Sequence, residues 1–120
     1  MTSNNYNLTL NTFKALEDFK ICCKVSIIEC MNSQHLDKLR KCMKLCLESI
    51  EAIDICQYFI ASKSINVKQC ITFVSTVVKK CIHECIKSSF DKHLKKVNKD
   101  TTAKAGKVFL DLLTKMKNKL

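Results

Sequence analysis

A chain of 120 residues with no proline and a single glycine, Gly106, holds almost no material for tight turns. Two-residue hairpins draw on Asn-Gly, Asp-Gly or a leading glycine, and an all-β sandwich or barrel needs such turns at short intervals. Gly-rich phosphate loops and dinucleotide fingerprints are excluded on the same ground, because each needs several glycines where the backbone meets a phosphate. The apolar fraction of 47% is too high for a disordered chain. Helices joined by short polar loops remain, and the length suits one domain over residues 1–120.

Hydrophobic periodicity divides the chain into four helical segments, at about residues 8–31, 36–61, 65–87 and 91–118. The first carries Leu10, Phe13, Leu16, Phe19, Cys23, Ile27 and Cys30 at spacings of three and four. Ser33 followed by Asp37 suits the start of the second, which turns Leu39, Cys42, Cys46, Ile50, Ile53, Cys56 and Ile60 inward. The third presents Val67, Cys70, Val74, Val77, Cys81 and Cys85. In the fourth, Phe90, Leu94 and Val97 precede a polar patch, and Val108, Phe109, Leu110, Leu112, Leu113 and Met116 follow it. Gly106 costs a helix interior about 1 kcal/mol against alanine, so a bend or fraying is expected there. Loops this short force antiparallel neighbours. The expected architecture is all-α, an up-down-up-down antiparallel four-helix bundle.

All nine cysteines lie on the first three segments. Cys42 with Cys46, and Cys81 with Cys85, form Cys-x-x-x-Cys pairs, which stack on one helical face about 5–6 Å apart at Cβ. Counted outward from the break at residues 62–64, Cys42 comes opposite Cys85, Cys46 opposite Cys81 and Cys56 opposite Cys70. The first hairpin adds Cys30 opposite Cys42, with Cys23 one or two turns deeper. Cys30, Cys42, Cys46, Cys81 and Cys85 are thus expected to converge near one end, with His35 and His93 in the loops there. Adjacent Cys22 and Cys23 face about 100° apart on a helix, so only one points centrally, and Cys23 fits the apolar stripe.

Soft thiolates select Cu(I), Zn(II) or iron–sulfur clusters. Knuckle-type Cys-x-x-Cys spacings, common in structural zinc sites, are lacking, and so are the closely spaced loop cysteines of iron–sulfur proteins. Cu(I) held by two or three thiolates along a helical face is the expected cargo.

The stretch from Cys30 to His93 resembles the cysteine-rich four-helix-bundle copper-binding family, the bacterial copper storage proteins. The resemblance rests on Cys30, Cys42, the Asp-Ile-Cys ending at Cys56, Cys70, the Cys-Ile-His-Glu-Cys from Cys81 to Cys85, and His93 before the last helix. It implies a bundle interior lined with thiolates that loads several Cu(I) ions, and assembly as a tetramer. Because no export signal is visible, it points to the cytosolic branch. The chain departs from the family in lacking cysteines on its fourth helix, and Val74 and Val77 stand where further thiols are expected. What the resemblance implies is a reduced store loaded mainly at the dense end, with Cys23, Cys30, Cys42, Cys46, Cys56, Cys70, Cys81, Cys85 and His93 as the metal ligands.

Two rival readings stand beside it. Buried cysteine often acts as a small apolar residue, so the bundle would be a structural or adaptor module. The net charge of +10, concentrated after residue 62, would alternatively mark a nucleic-acid-binding bundle. Twenty of the 21 basic residues are lysine and no aromatics interleave with them, so a solvated lysine face is expected instead of a nucleic-acid partner. His83, between Cys81 and Cys85 in sequence, points to another side of the helix; Met31 and Met43 are expected to pack. No converging carboxylate pair or oriented Cys-His nucleophile is present, so enzymatic activity is not expected. With no secretory pattern and no apolar run long enough for a membrane span, a cytoplasmic location is expected, where thiols stay reduced.

Overall fold

The computed structural model describes residues 3–89 and 99–120. Among them lie four helices, α1 (Ser3–Met31), α2 (Leu36–Ala61), α3 (Val67–Ser89) and α4 (Lys99–Asn118). The boundaries follow the periodicity closely, although α1 begins five residues before the expected start. The expected first turns of the fourth segment, from residue 91, lie outside the described residues. Helix α1 packs on α2 and α4, and α3 packs on the same two, which is the square arrangement of a four-helix bundle about 50 × 21 × 18 Å.

Serines build both described turns. Between α1 and α2, the Ser33 hydroxyl accepts the His35 N–H at 3.0 Å, and Asp37 follows in the first turn, where its charge suits the helix dipole. Between α2 and α3, the Ser64 N–H donates to the Phe59 carbonyl at 3.0 Å and the Lys63 N–H to the Ile60 carbonyl at 3.2 Å. These two bonds form a Schellman motif closing α2. Lys63 takes the left-handed position of that motif, with φ 55°, where glycine is normally favoured. The Ser64 hydroxyl then accepts the Asn66 N–H at 3.1 Å and starts α3.

The core is aliphatic and aromatic towards the α2–α3 turn and sulfur-rich towards the other end. Leu16, Phe19, Ile53, Ile71, Val74, Val78, Phe109 and Leu113 are fully buried, each contributing roughly 1.5–3 kcal/mol of apolar burial. Phe19 and Phe109 stack across α1 and α4 with ring centroids 6.1 Å apart. A buried hydrogen bond of 2.6 Å joins Ser26 of α1 to Thr102 of α4, and Lys20 reaches from α1 to Asp54 of α2 at 2.7 Å.

Several expected core positions are corrected. Leu10 is exposed, because three successive spacings of three place it about 180° around the helix from Phe19. Val77 is only half-buried, and Ile71, Val78 and Ile82 fill the third helix's share of the core. Val108 is exposed beside the buried Phe109. The expected bend or fraying at Gly106 is also corrected: α4 runs without interruption from Lys99 to Asn118. A Cβ at Gly106 would sit 2.7 Å from Ile82 Cγ1 and 2.9 Å from Phe19 Cε1, so the glycine admits two large neighbours.

Gly106 and Lys63 give opposite expectations under chemical denaturation. Gly106→Ala should destabilise the bundle by about 1 kcal/mol, since overpacking costs roughly 1–3 kcal/mol and helix propensity returns at most about 1 kcal/mol. Lys63→Gly should stabilise it by about 0.5–1 kcal/mol, through relief of the left-handed backbone.

Candidate metal centre

Residues four apart on α2 and α3 bring two thiols of each helix onto one inward face, and the short α2–α3 turn sets these faces at matching heights. The Sγ atoms of Cys42 and Cys85 lie 3.7 Å apart, as do those of Cys46 and Cys81. From α1, Cys23 reaches the second of these levels. Two triads result, Cys23 with Cys46 and Cys81, and Cys42 with Cys46 and Cys85. Within each, the three sulfurs all lie within 4.8 Å of one another, and every member is buried. Cys46 belongs to both.

The spacing matches what a thiolate-bound ion requires. A metal–sulfur bond of about 2.3 Å sets sulfurs about 4.0 Å apart in a trigonal plane and about 4.6 Å apart across a linear pair. The observed separations span that range without rearrangement of the helices, so the buried cysteine clusters fit metal binding.

Hydrogen bonding among the thiols shifts their acidities in opposite directions. Bonds from Cys23 and then Cys42 hold the Cys46 thiol down to about 5. Bonds from Cys23 and then Cys46 lower Cys81, and a bond from Cys30 lowers Cys42. Cys23 and Cys85 are pushed up by their hydrogen bonds to neighbouring thiols. The packed thiols thus favour the ionised form at Cys46 and Cys81 and the protonated form at Cys23 and Cys85.

The remaining expected ligands fall into three groups. Cys30 is fully buried and hydrogen-bonded to Cys42, but it sits in a small satellite core with Leu39 and Met43 and joins neither triad. Cys56 and Cys70 form a separate hydrogen-bonded pair nearer the α2–α3 turn, with burial pushing Cys56 up to about 12 and raising Cys70. Ile53, Ile71, Val74 and Val78 are the fully buried apolar residues between that pair and the triads along α2 and α3. His93 lies outside the described residues. Cys22 is half-buried, and its carbonyl accepts the Thr102 hydroxyl at 3.3 Å. His83 is exposed on the outer side of α3, and Met31 is exposed at the end of α1.

One polar side chain at the site was not anticipated from sequence. Ser49, one turn beyond Cys46, is fully buried, and its hydroxyl lies against Cys81 with no oxygen or nitrogen partner. Its place on the inward stripe of α2, between Cys46 and Ile53, was the available signal.

No individually curated protein and no solved structure matches the chain. The profile of the copper storage protein family does, over residues 8–106. That span takes in all nine cysteines, most of α1 and the whole of α2 and α3. On a match of that extent, the chain belongs to the copper storage protein family.

Proposed function

We propose that this chain sequesters several Cu(I) ions through the thiolates of its two triads, without enzymatic activity, in the reducing cytoplasm. The observation that carries the reading is the sharing of Cys46 between two three-sulfur groups. A thiolate common to two groups can bridge two ions, so the cluster is suited to a polynuclear store. Three sulfurs, without a fourth, suit a soft low-coordinate cation better than structural zinc, which takes four ligands. Cys30 would extend the cluster through Cys42, and the Cys56–Cys70 pair would form a second, two-thiol level. His93 would act from the loop before the last helix. All nine cysteines are free thiols, as a store in a reducing compartment requires. No described helix is long and apolar enough to cross a membrane.

Anaerobic titration of the reduced protein with Cu(I), against a competing chelator, tests the reading. Several equivalents should bind tightly, with the thiols becoming unreactive to alkylation. The combined Cys42→Ser, Cys46→Ser, Cys81→Ser and Cys85→Ser variant should lose most of that capacity. Cys46→Ala alone should cost more capacity than Cys30→Ala, and Cys22→Ala should cost none. Unchanged capacity in the fourfold variant would sink the assignment. Failure of the parent chain to bind at all would leave the cysteines as core packing.

Acidity should separate the two levels. Metal binding releases protons only from thiols that still hold them. Cys56, at about 12, is fully protonated near neutrality, so copper at the Cys56–Cys70 pair should weaken about tenfold per pH unit for each proton released. Cys46 is held down by its neighbours while Cys23 and Cys85 are pushed up, so each triad releases a proton from one raised thiol where the Cys56–Cys70 pair releases two. Chelator competition at pH 8 and pH 6 should therefore empty the Cys56–Cys70 level first.

Assembly into a tetramer belongs to the same proposal. Leu10, Ile21, Val25 and Ile28 share one exposed face of α1, an apolar stripe of the kind that marks contact between subunits. Val25→Lys with Ile28→Lys should shift the protein to monomer in size-exclusion chromatography with light scattering, with its copper capacity retained.

A further inference from the structure

On the outer side of the α2–α3 seam lies a groove of about 480 Å³, lined by Lys41 and Leu45 of α2 and by Lys79, Lys80, His83 and Glu84 of α3. Its position is set by the thiol cluster. Lys41 directly precedes Cys42, Leu45 precedes Cys46, Lys80 precedes Cys81, and Glu84 precedes Cys85. On a helix, neighbouring residues face about 100° apart, so residues one step from an inward cysteine flank it at the seam. The groove therefore runs along the wall behind which both triads are assembled.

Its charge is uneven in a useful way. Glu84 is buried, and its carboxylate meets Lys41 at 3.7 Å, so one lysine is balanced. Lys79 and Lys80 are exposed and make no ion pair among the described residues. The groove is thus net positive, repelling a bare cation and attracting an anion. Copper(I) in a reducing solution containing thiols is carried as thiolate complexes, and a carrier bearing carboxylates makes such a complex anionic. The volume falls in the range of small-molecule pockets.

We infer that this groove binds small anionic thiolate complexes of Cu(I) and is the lateral route by which copper reaches the buried triads. The inference rests on the storage reading and adds to it the class of donor and the place of transfer. Lys79 and Lys80 hold the carboxylates of the carrier, with Leu45 against its apolar part. Transfer is then ligand exchange at constant oxidation state. A copper–sulfur bond to a cluster cysteine forms as the bond to the carrier sulfur breaks, and the cysteine's proton leaves with the carrier as free thiol. No oxidant or reductant is needed.

Stopped-flow uptake from two donors, Cu(I)–glutathione (anionic) and Cu(I)–cysteamine (cationic), tests the route. The Lys79→Glu/Lys80→Glu variant should take copper from glutathione about tenfold more slowly at low salt. Its uptake from cysteamine should not slow, and its final capacity should equal that of the parent chain. A Lys107→Glu/Lys115→Glu variant carries the same charge change on exposed sites of α4, and should slow uptake from glutathione far less. In the parent chain, added salt should slow uptake from glutathione and not from cysteamine. Equal rates for the two double variants, or parent uptake insensitive to salt, would overturn the lateral route while leaving storage intact. A parent chain that takes up no copper from either donor or from chelated Cu(I) would overturn the storage reading itself.

Discussion

The turn over residues 62–66 fixes how α3 returns along α2, and with it the height at which each sulfur of one helix meets a sulfur of the other. A slip of one residue between these helices would shift their thiols by about 1.5 Å along the axis and about 100° around it, enough to break both 3.7 Å contacts. The turn holds its geometry with two backbone hydrogen bonds and a lysine in a left-handed conformation that glycine would adopt more easily. Register at the metal centre is thus set at least 15 residues away along either helix of the hairpin, by local backbone bonding at the α2–α3 turn.

Stability and chemistry divide the same interior. Thiols are small and weakly polar, and a layer of them fills space with less apolar area than leucine or isoleucine would bury. Large side chains make up the difference beside and below it, where Ile82 closes over Gly106 and Phe19 stacks on Phe109. Packing there is tight enough that the glycine's missing Cβ is required. The Ser26–Thr102 bond ties α1 to α4 near the cysteine end, where aliphatic contacts thin out. The sulfur layer is therefore held by contacts around it, and its own atoms remain free to exchange protons for metal.

The thiol levels on α2 and α3 were legible because two simple distances define them, four residues along a helix and equal steps from one turn. Cys42, Cys46, Cys81 and Cys85 converge as those distances require. On α1 the reading was coarser. Cys23 joins a triad while Cys30, two turns along the same face, bonds to Cys42 but packs with Leu39 and Met43 beyond both triads. The run of three-residue spacings from Leu10 to Phe19 drifts around the helix, and Leu10 lies on the opposite face. Gly106 was read by propensity alone, and its meaning came from Phe19 and Ile82, which are distant in sequence. Ser49 was hidden for a similar reason: a serine on an inward stripe gains significance only from the sulfur across from it.

The cysteine-free fourth helix bears directly on coordination. At the height of the triads α4 presents Thr102, Ala103 and Gly106, which are small, and the Thr102 hydroxyl is committed to Ser26 and the Cys22 carbonyl. Donors thus come from α1, α2 and α3, and neither cluster draws a fourth ligand from a described residue of α4. A tetrahedral ion such as zinc would find no fourth donor among the described residues of α4, and the room beside Gly106 is taken by Ile82 and Phe19. A cation content with two or three sulfurs meets no such deficit, and the bridging position of Cys46 lets a second ion share the charge of one thiolate. A fourth helix without cysteines therefore confines the described sulfur donors to the other three walls of the bundle, three to each cluster.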